Sequence, residues 1–137
     1  MRFEGKTWKS PDTRYWVVEV PALEIVTQGT SKSDAYDMIK DAIEMMVDQK
    51  DFKITVQPGK HGEFTISAND AGALLAFMLR QQRSSRGLTL QEMAKRLGIN
   101  SVNAYARYEQ GKSIPTVEKL TELLKAIDGK EPILKIA

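Results

Sequence analysis

Gly87-Leu88-Thr89-Leu90-Gln91-Glu92-Met93-Ala94-Lys95-Arg96-Leu97-Gly98-Ile99-Asn100-Ser101-Val102-Asn103-Ala104-Tyr105-Ala106-Arg107-Tyr108-Glu109-Gln110-Gly111 reads as two short helices on either side of a tight turn. Thr89 with Glu92 three residues on is a capping box, and Met93, Ala94 and Leu97 give the first helix its apolar face. Ala94 is small, so the second helix can cross it closely. Gly98 permits the turn, and Ile99 re-enters the core. Asn100 and Ser101 open the second helix, which Gly111 ends. Outward on one side lies Ala73–Arg86, amphipathic through Leu74, Phe77 and Met78 and closed by Gly87 as its C′ residue. On the other side, Thr116 follows Pro115 and caps a last helix carrying Val117, Leu120, Leu123, Leu124 and Ile127. From residue 70 onward the pattern is all-helical.

The first half has a different period. Residues 2–9 and 14–20 are rich in Phe, Thr, Trp, Tyr and Val, and Ser10-Pro11-Asp12-Thr13 turns between them. Pro21 ends the second strand, and Leu23–Gln28 makes a third. Ser31 then caps a helix, with Asp34 in the position usually held by Glu, and Ala35, Ile39, Ala42, Ile43 and Met46 fall on one face. Phe52–Val56 and Glu63–Ser67 read as two more strands around the turn from Gln57 to Gly62. The predicted architecture is a small α+β layer over residues 1–69, an antiparallel sheet with one helix, followed by an all-α unit over residues 70–137.

Composition narrows the function classes. The chain of 137 residues has no cysteine, which excludes disulfides and thiolate metal sites and fits a reducing, cytoplasmic setting. No apolar run follows the basic residue near the start, so no signal peptide is expected, and no stretch approaches a membrane span. Residues 1–69 carry 9 Lys/Arg against 11 Asp/Glu, net −2, whereas residues 70–137 carry 11 against 7, net +4. A basic second half is the electrostatic footprint of a polyanion-binding module. His61, the single histidine, lies in a turn, where an exposed side chain is the expected reading. No metal and no cofactor are expected. Nor do Glu4, Glu19 and Glu24 show the convergence that two-metal nuclease chemistry needs, so the chain is expected not to be an enzyme.

Leu79-Arg80, Arg83, Gly87-Leu88-Thr89, Glu92, Ala94, Leu97-Gly98-Ile99, Tyr105, Arg107-Tyr108-Glu109, Gly111 and Pro115 together resemble the Cro/repressor (Xre-type) helix-turn-helix family over about 50 residues. That resemblance implies a third helix in the major groove of DNA, with Ser101, Asn103, Ala104 and Arg107 as candidate base readers. Asn suits adenine and Arg suits guanine, although Arg107 equally fits a phosphate clamp or a bond to Glu109. Arg80, Arg83, Lys95, Arg96 and Lys112 are candidate phosphate contacts or solvated charge. One module reads few bases, so a homo-oligomer, at least a dimer, is expected on half-sites about 34 Å apart.

The first half has its own resemblance. An aromatic strand, Val20-Pro21-Ala22-Leu23, Val26-Thr27-Gln28-Gly29, a capped Ala-rich helix and a strand pair running into Ser67-Ala68-Asn69-Asp70-Ala71-Gly72 resemble the HicB-type antitoxin domain. The family's Pro-Asp-Leu-Pro-Gly-Cys run is here Pro21-Ala22-Leu23-Glu24-Ile25-Val26, without its acid or its glycine. The resemblance implies a truncated ribonuclease-H-like fold that binds a small RNA-cleaving toxin of the HicA type, together with repression of the chain's own operon. Tyr15, Trp16 and Val18 on the second strand, with the helix acids Asp37, Asp41 and Glu44, are the candidate partner-binding residues. Two rivals stand beside this reading: a repressor whose first unit senses a small molecule, and a nuclease on the ribonuclease-H-like scaffold.

Overall fold

The computed structural model describes residues 1–136, and contacts divide the chain into two compact units, Met1–Leu74 and the remainder from Leu75. The seam falls inside a helix rather than in a linker.

The first unit contains β1 (Phe3–Lys9), β2 (Trp16–Val20), β3 (Ile25–Gly29), helix α1 (Lys32–Val47), β4 (Ile54–Pro58) and β5 (Glu63–Ala68). All neighbours are antiparallel, in the order β3-β2-β1-β5-β4. β1 and β2 form a hairpin in which Thr7 faces Val18 and Trp8 faces Val17. Side chains alternate across a strand, so Val18, Val20, Ile25, Ile54, Phe64 and Ile66 share the inner face, and all are buried. Helix α1 packs on that face through Ala35, Ile39 and Ile43, and Tyr36 meets the Phe64 ring edge-on at 5.3 Å. The buried Thr7 hydroxyl donates to the Val17 carbonyl at 2.7 Å, so its polarity costs little.

The local start signals act as the sequence predicts. Ser31 Oγ accepts from the Asp34 amide at 3.0 Å. The Asp34 carboxylate reaches back one residue further than a standard capping box, to the amide and hydroxyl of Thr30. Gly29 is required by close approach, because a Cβ there would lie 2.4 Å from the Ala35 nitrogen. The third strand starts at Ile25 rather than Leu23: Pro21–Leu23 winds into a 3-10 turn and Glu24 takes a left-handed φ of 54°. Met46, expected on the buried face, is 44% exposed near the end of α1.

The second unit takes in most of α2 (Ala71–Ser84), then α3 (Leu90–Arg96), α4 (Val102–Glu109) and α5 (Val117–Asp128). Helix α2 begins two residues before the predicted start, because Asp70 caps it by accepting from the Ala73 amide at 2.9 Å. Leu74 through Leu79 are buried without interruption. Thr89, Ser101 and Thr116 are the N-caps of α3, α4 and α5, each accepting from the backbone amide three residues on. The core of this unit includes Leu79, Leu88, Met93, Ala94, Tyr105, Ala106, Leu123 and Ile127.

Candidate nucleic-acid interface

Helices α3 and α4 pack directly on each other around the turn at Gly98. The Gly98 amide bonds the Lys95 carbonyl at 3.1 Å and the Ile99 amide bonds the Ala94 carbonyl at 3.0 Å. This is a Schellman closure, and it needs a residue at positive φ, which Gly98 supplies at 68°. Gly87 and Gly111 close α2 and α4 with the same bonding pattern. Ala94 is 4% exposed at the crossing, and Ile99 is half-buried beside it.

Helix α4 presents one polar face. Asn103, Ala104 and Arg107 are exposed at one-turn spacing, and Gln110 continues the row at the helix end. Tyr105 and Ala106 point inward, with Tyr105 fully buried. The row is therefore open to a ligand while the opposite side anchors the helix. Sequence reasoning missed Gln110 because it reads as a helix terminus; its spacing from Asn103 and Arg107 was the available signal. Ser101 is exposed, but its hydroxyl accepts from the Ala104 amide at 3.3 Å, so its first role is to cap α4.

Arg107 bonds neither Glu109 nor any other acid among the described contacts. Its Nε lies 3.3 Å from Ser113 Oγ, and its carbonyl accepts from the Lys112 and Ser113 amides. The guanidinium is thus held loosely at the end of the exposed row.

Two of the candidate phosphate contacts are committed elsewhere. Arg83 forms a two-pronged pair with Glu109, at 2.7 Å through Nε and 2.9 Å through Nη2, and donates to the Leu88 carbonyl at 2.6 Å. With side chains 14% and 6% exposed, this pair ties α2 to α4 inside the fold and leaves the guanidinium no reach to a phosphate. The Glu109 carboxylate raises the Arg83 pKa further, fixing its charge. The buried Tyr105 hydroxyl lies by the pair without a well-formed hydrogen bond, and burial pushes its pKa up. Arg96 donates to the carbonyls of Ala126 and Ile127 at 2.9 and 2.8 Å, closing the end of α5. Neither function is visible in sequence, because both partners are 26 or more residues away. Arg96 is itself exposed despite its two carbonyl bonds, as are Lys95 and Lys112, and Arg80 lies half-buried over the Phe77 ring at 5.3 Å; Arg80, Lys95 and Lys112 remain the candidate phosphate contacts.

Helix α4, with one exposed polar face, is thus braced by α3 packed against it. Residues 79–134 match the helix-turn-helix family model. The match agrees with the Cro/repressor-type reading of the second unit and gives it a function class, DNA-binding transcription regulation. It includes none of the first unit. No curated protein matches the chain.

The candidate partner-binding residues of the first unit separate in space. Val18 is 0% exposed beneath α1, and Trp16 shares its side of β2, so the structure removes Val18 from any docking surface. The face of β2 that stays open belongs to Val17 and Glu19. With Trp8 (41% exposed), Lys6, Glu4, Val26 (65% exposed) and Glu63 they form the outer side of the sheet, which no other element of this unit covers. Glu44 accepts from the Ile54 amide at 2.9 Å and so helps fix β4 to α1. Asp37 and Asp41 are both exposed on α1, and Tyr15 is half-buried at the hairpin. His61 is exposed in its turn, and among the described residues no His, Asp or Glu cluster has metal-ligand spacing. No helix is long and apolar enough to cross a membrane among the described residues.

Proposed function

We propose that this chain is the antitoxin of a toxin–antitoxin pair, a non-enzymatic protein that represses its own operon through the helix-turn-helix domain and neutralises a small basic, RNA-cleaving toxin through its first unit. The observation that carries the second half is the open outer side of the sheet. There Trp8 and Val17 are direct cross-strand neighbours, Val26 lies diagonally beyond them, and Glu4, Glu19 and Glu63 outnumber Lys6. An apolar anchor ringed by excess carboxylate suits a cationic protein surface. The order of elements, with Thr27-Gln28-Gly29 leading into a capped helix, supports the HicB-type reading and the truncated ribonuclease-H-like fold that goes with it. Repression by a dimer on paired half-sites and a cytoplasmic location belong to the same reading.

The test uses the full chain and the product of the reading frame beside its gene. Expression of that frame alone should arrest growth, and co-expression of this chain should restore it. Trp8→Glu should lose the rescue and retain operator binding, whereas Asn103→Ala with Arg107→Ala should lose operator binding and retain the rescue. A neighbouring product that is harmless, or a rescue that ignores Trp8→Glu, overturns the antitoxin reading and leaves the DNA-binding half standing.

A further inference from the structure

Strand β3 ends the sheet: it pairs with β2 on one side, and among the described residues no strand lies beyond it on the other. Its five residues, Ile25-Val26-Thr27-Gln28-Gly29, include no charge of the kind that blunts a free edge. Above it runs α1, whose side chains fall into ridges spaced by four residues. The central ridge, Ala35, Ile39 and Ile43, is buried. On one side of it Tyr36 meets Phe64 of β5 and Glu44 holds β4. The ridge on the other side, Met38, Ala42 and Met46, therefore flanks the β3 margin, and Met38 and Met46 are 41% and 44% exposed. An unpaired edge and an apolar shelf thus lie side by side.

We propose that β3 pairs antiparallel with β3 of a second copy, bringing the two α1 helices together through Met38, Ala42 and Met46. The ridge is its own complement. A twofold axis at Ala42 sets this small residue against itself and each Met38 against Met46 of the other copy, and flexible thioether chains fill such a seam readily. Charge agrees at both ends. Asp34 and Lys50 stand eight positions either side of Ala42, and Lys50 is exposed just past the C-cap of α1. Each acid is thereby brought toward the lysine of the other copy. Asp37 and Asp41, about 100° round the helix from Met38 and Ala42, stay out of the seam. The strand register follows from the same axis. Ala42 lies about 10 Å along the helix from Ala35, which packs on Gly29. That is about three strand residues back from Gly29, so Val26 of each copy meets its twin on the outer side. The two outer sides then run on as one surface and leave both Trp8 side chains open. Nothing in this geometry depends on what that surface binds, so the growth-rescue test and the one below fail independently.

The chain has no cysteine, so Val26→Cys introduces its only thiol. Residues facing each other across antiparallel strands come within disulfide reach. Under copper-phenanthroline oxidation, full-length Val26→Cys should form a covalent dimer much faster than Thr55→Cys, an exposed position on β4 at the other margin. In the Val26→Cys chain, Met46→Lys should slow cross-linking roughly tenfold, and adding Met38→Glu should restore it. Those two charges are about 12 Å apart within one helix, so they meet only between copies. Both methionines are partly exposed, and thermal midpoints close to the parent's will show that the variants fold. Equal cross-linking at Val26 and Thr55, a Val26→Cys chain that stays uncross-linked, or a Met46→Lys variant that cross-links like its parent overturns the proposal. So does a double variant no faster than Met46→Lys alone.

Discussion

Arg83 and Arg107, alike in sequence and opposite in role, show what decides function at the scale of one side chain. Arg83 has both prongs on Glu109 and a third bond to the Leu88 carbonyl, while the Arg107 side chain meets a serine hydroxyl. Removing one partner of a buried pair strands the other charge, at a cost of about 3–5 kcal/mol. Arg83→Ala should therefore lower the unfolding midpoint of the chain and weaken binding to every DNA alike. Arg107→Ala should leave the denaturation curve unmoved and change discrimination at one base pair by about 1–3 kcal/mol. Parallel denaturation and operator-variant titrations separate the two, and equal loss of stability would refute the assignment. Asp70 adds a pH dependence. The Ala73 amide, then the Gln49 side chain at 3.0 Å, hold its carboxyl below the usual carboxylate range despite some desolvation. The stability this gives is present above the unfolded value of about 4 and is lost as pH falls through the lowered folded one. Asp70→Asn keeps a capping side chain but cannot titrate, so its stability should fall less steeply below pH about 4 in acid denaturation.

At the scale of elements, much was legible because the deciding contacts are local. Ser31, Thr89, Ser101 and Thr116 each bond an amide three residues ahead, and such signals are written in consecutive residues. The same holds for the glycine closures of α2, α3 and α4, and for the exposed row on α4. What sequence did not reveal depends on pairing across distance. The side of β2 that faces α1 follows from register, so sequence alone sets Trp16 and Val18 on a docking surface when Val17 and Trp8 hold the open one. The same limitation hides the internal roles of Arg83, Arg96 and Glu44. Gly29 shows the two kinds of information meeting, since its identity is local and its reason is the approach of α1. Gly29→Ala would drive a methyl group to 2.4 Å from the Ala35 nitrogen and 2.7 Å from its Cα, both backbone atoms that cannot turn aside. A cost of about 2 kcal/mol or more is expected, read as a lower thermal midpoint together with loss of α1 protection in hydrogen exchange.

For the molecule as a whole, the internal use of Arg83 and Arg96 reduces its electrostatic reach. With Arg80, Lys95 and Lys112 meeting phosphates in each copy, a dimer on its operator should show log K falling against log salt with a slope of about −5. A slope near about −9 would mean that the two internally bonded arginines also reach the backbone. Charge and periodicity set the boundary between the acidic α+β half and the basic helical half at 69/70, whereas contacts divide the chain between Leu74 and Leu75. One detail of the sheet bears on how the protein behaves when crowded. Because Ile54 gives its amide to Glu44 instead of to β5, alternate residues of β4 aim outward, namely Ile54, Val56 and Pro58. One of those donors is already taken and another does not exist, leaving Val56 alone to recruit a foreign strand. Strand β3, the opposite margin, has no proline within it. A sheet that can grow from one margin only terminates after a single addition, so strand exchange between copies should yield closed pairs rather than fibres.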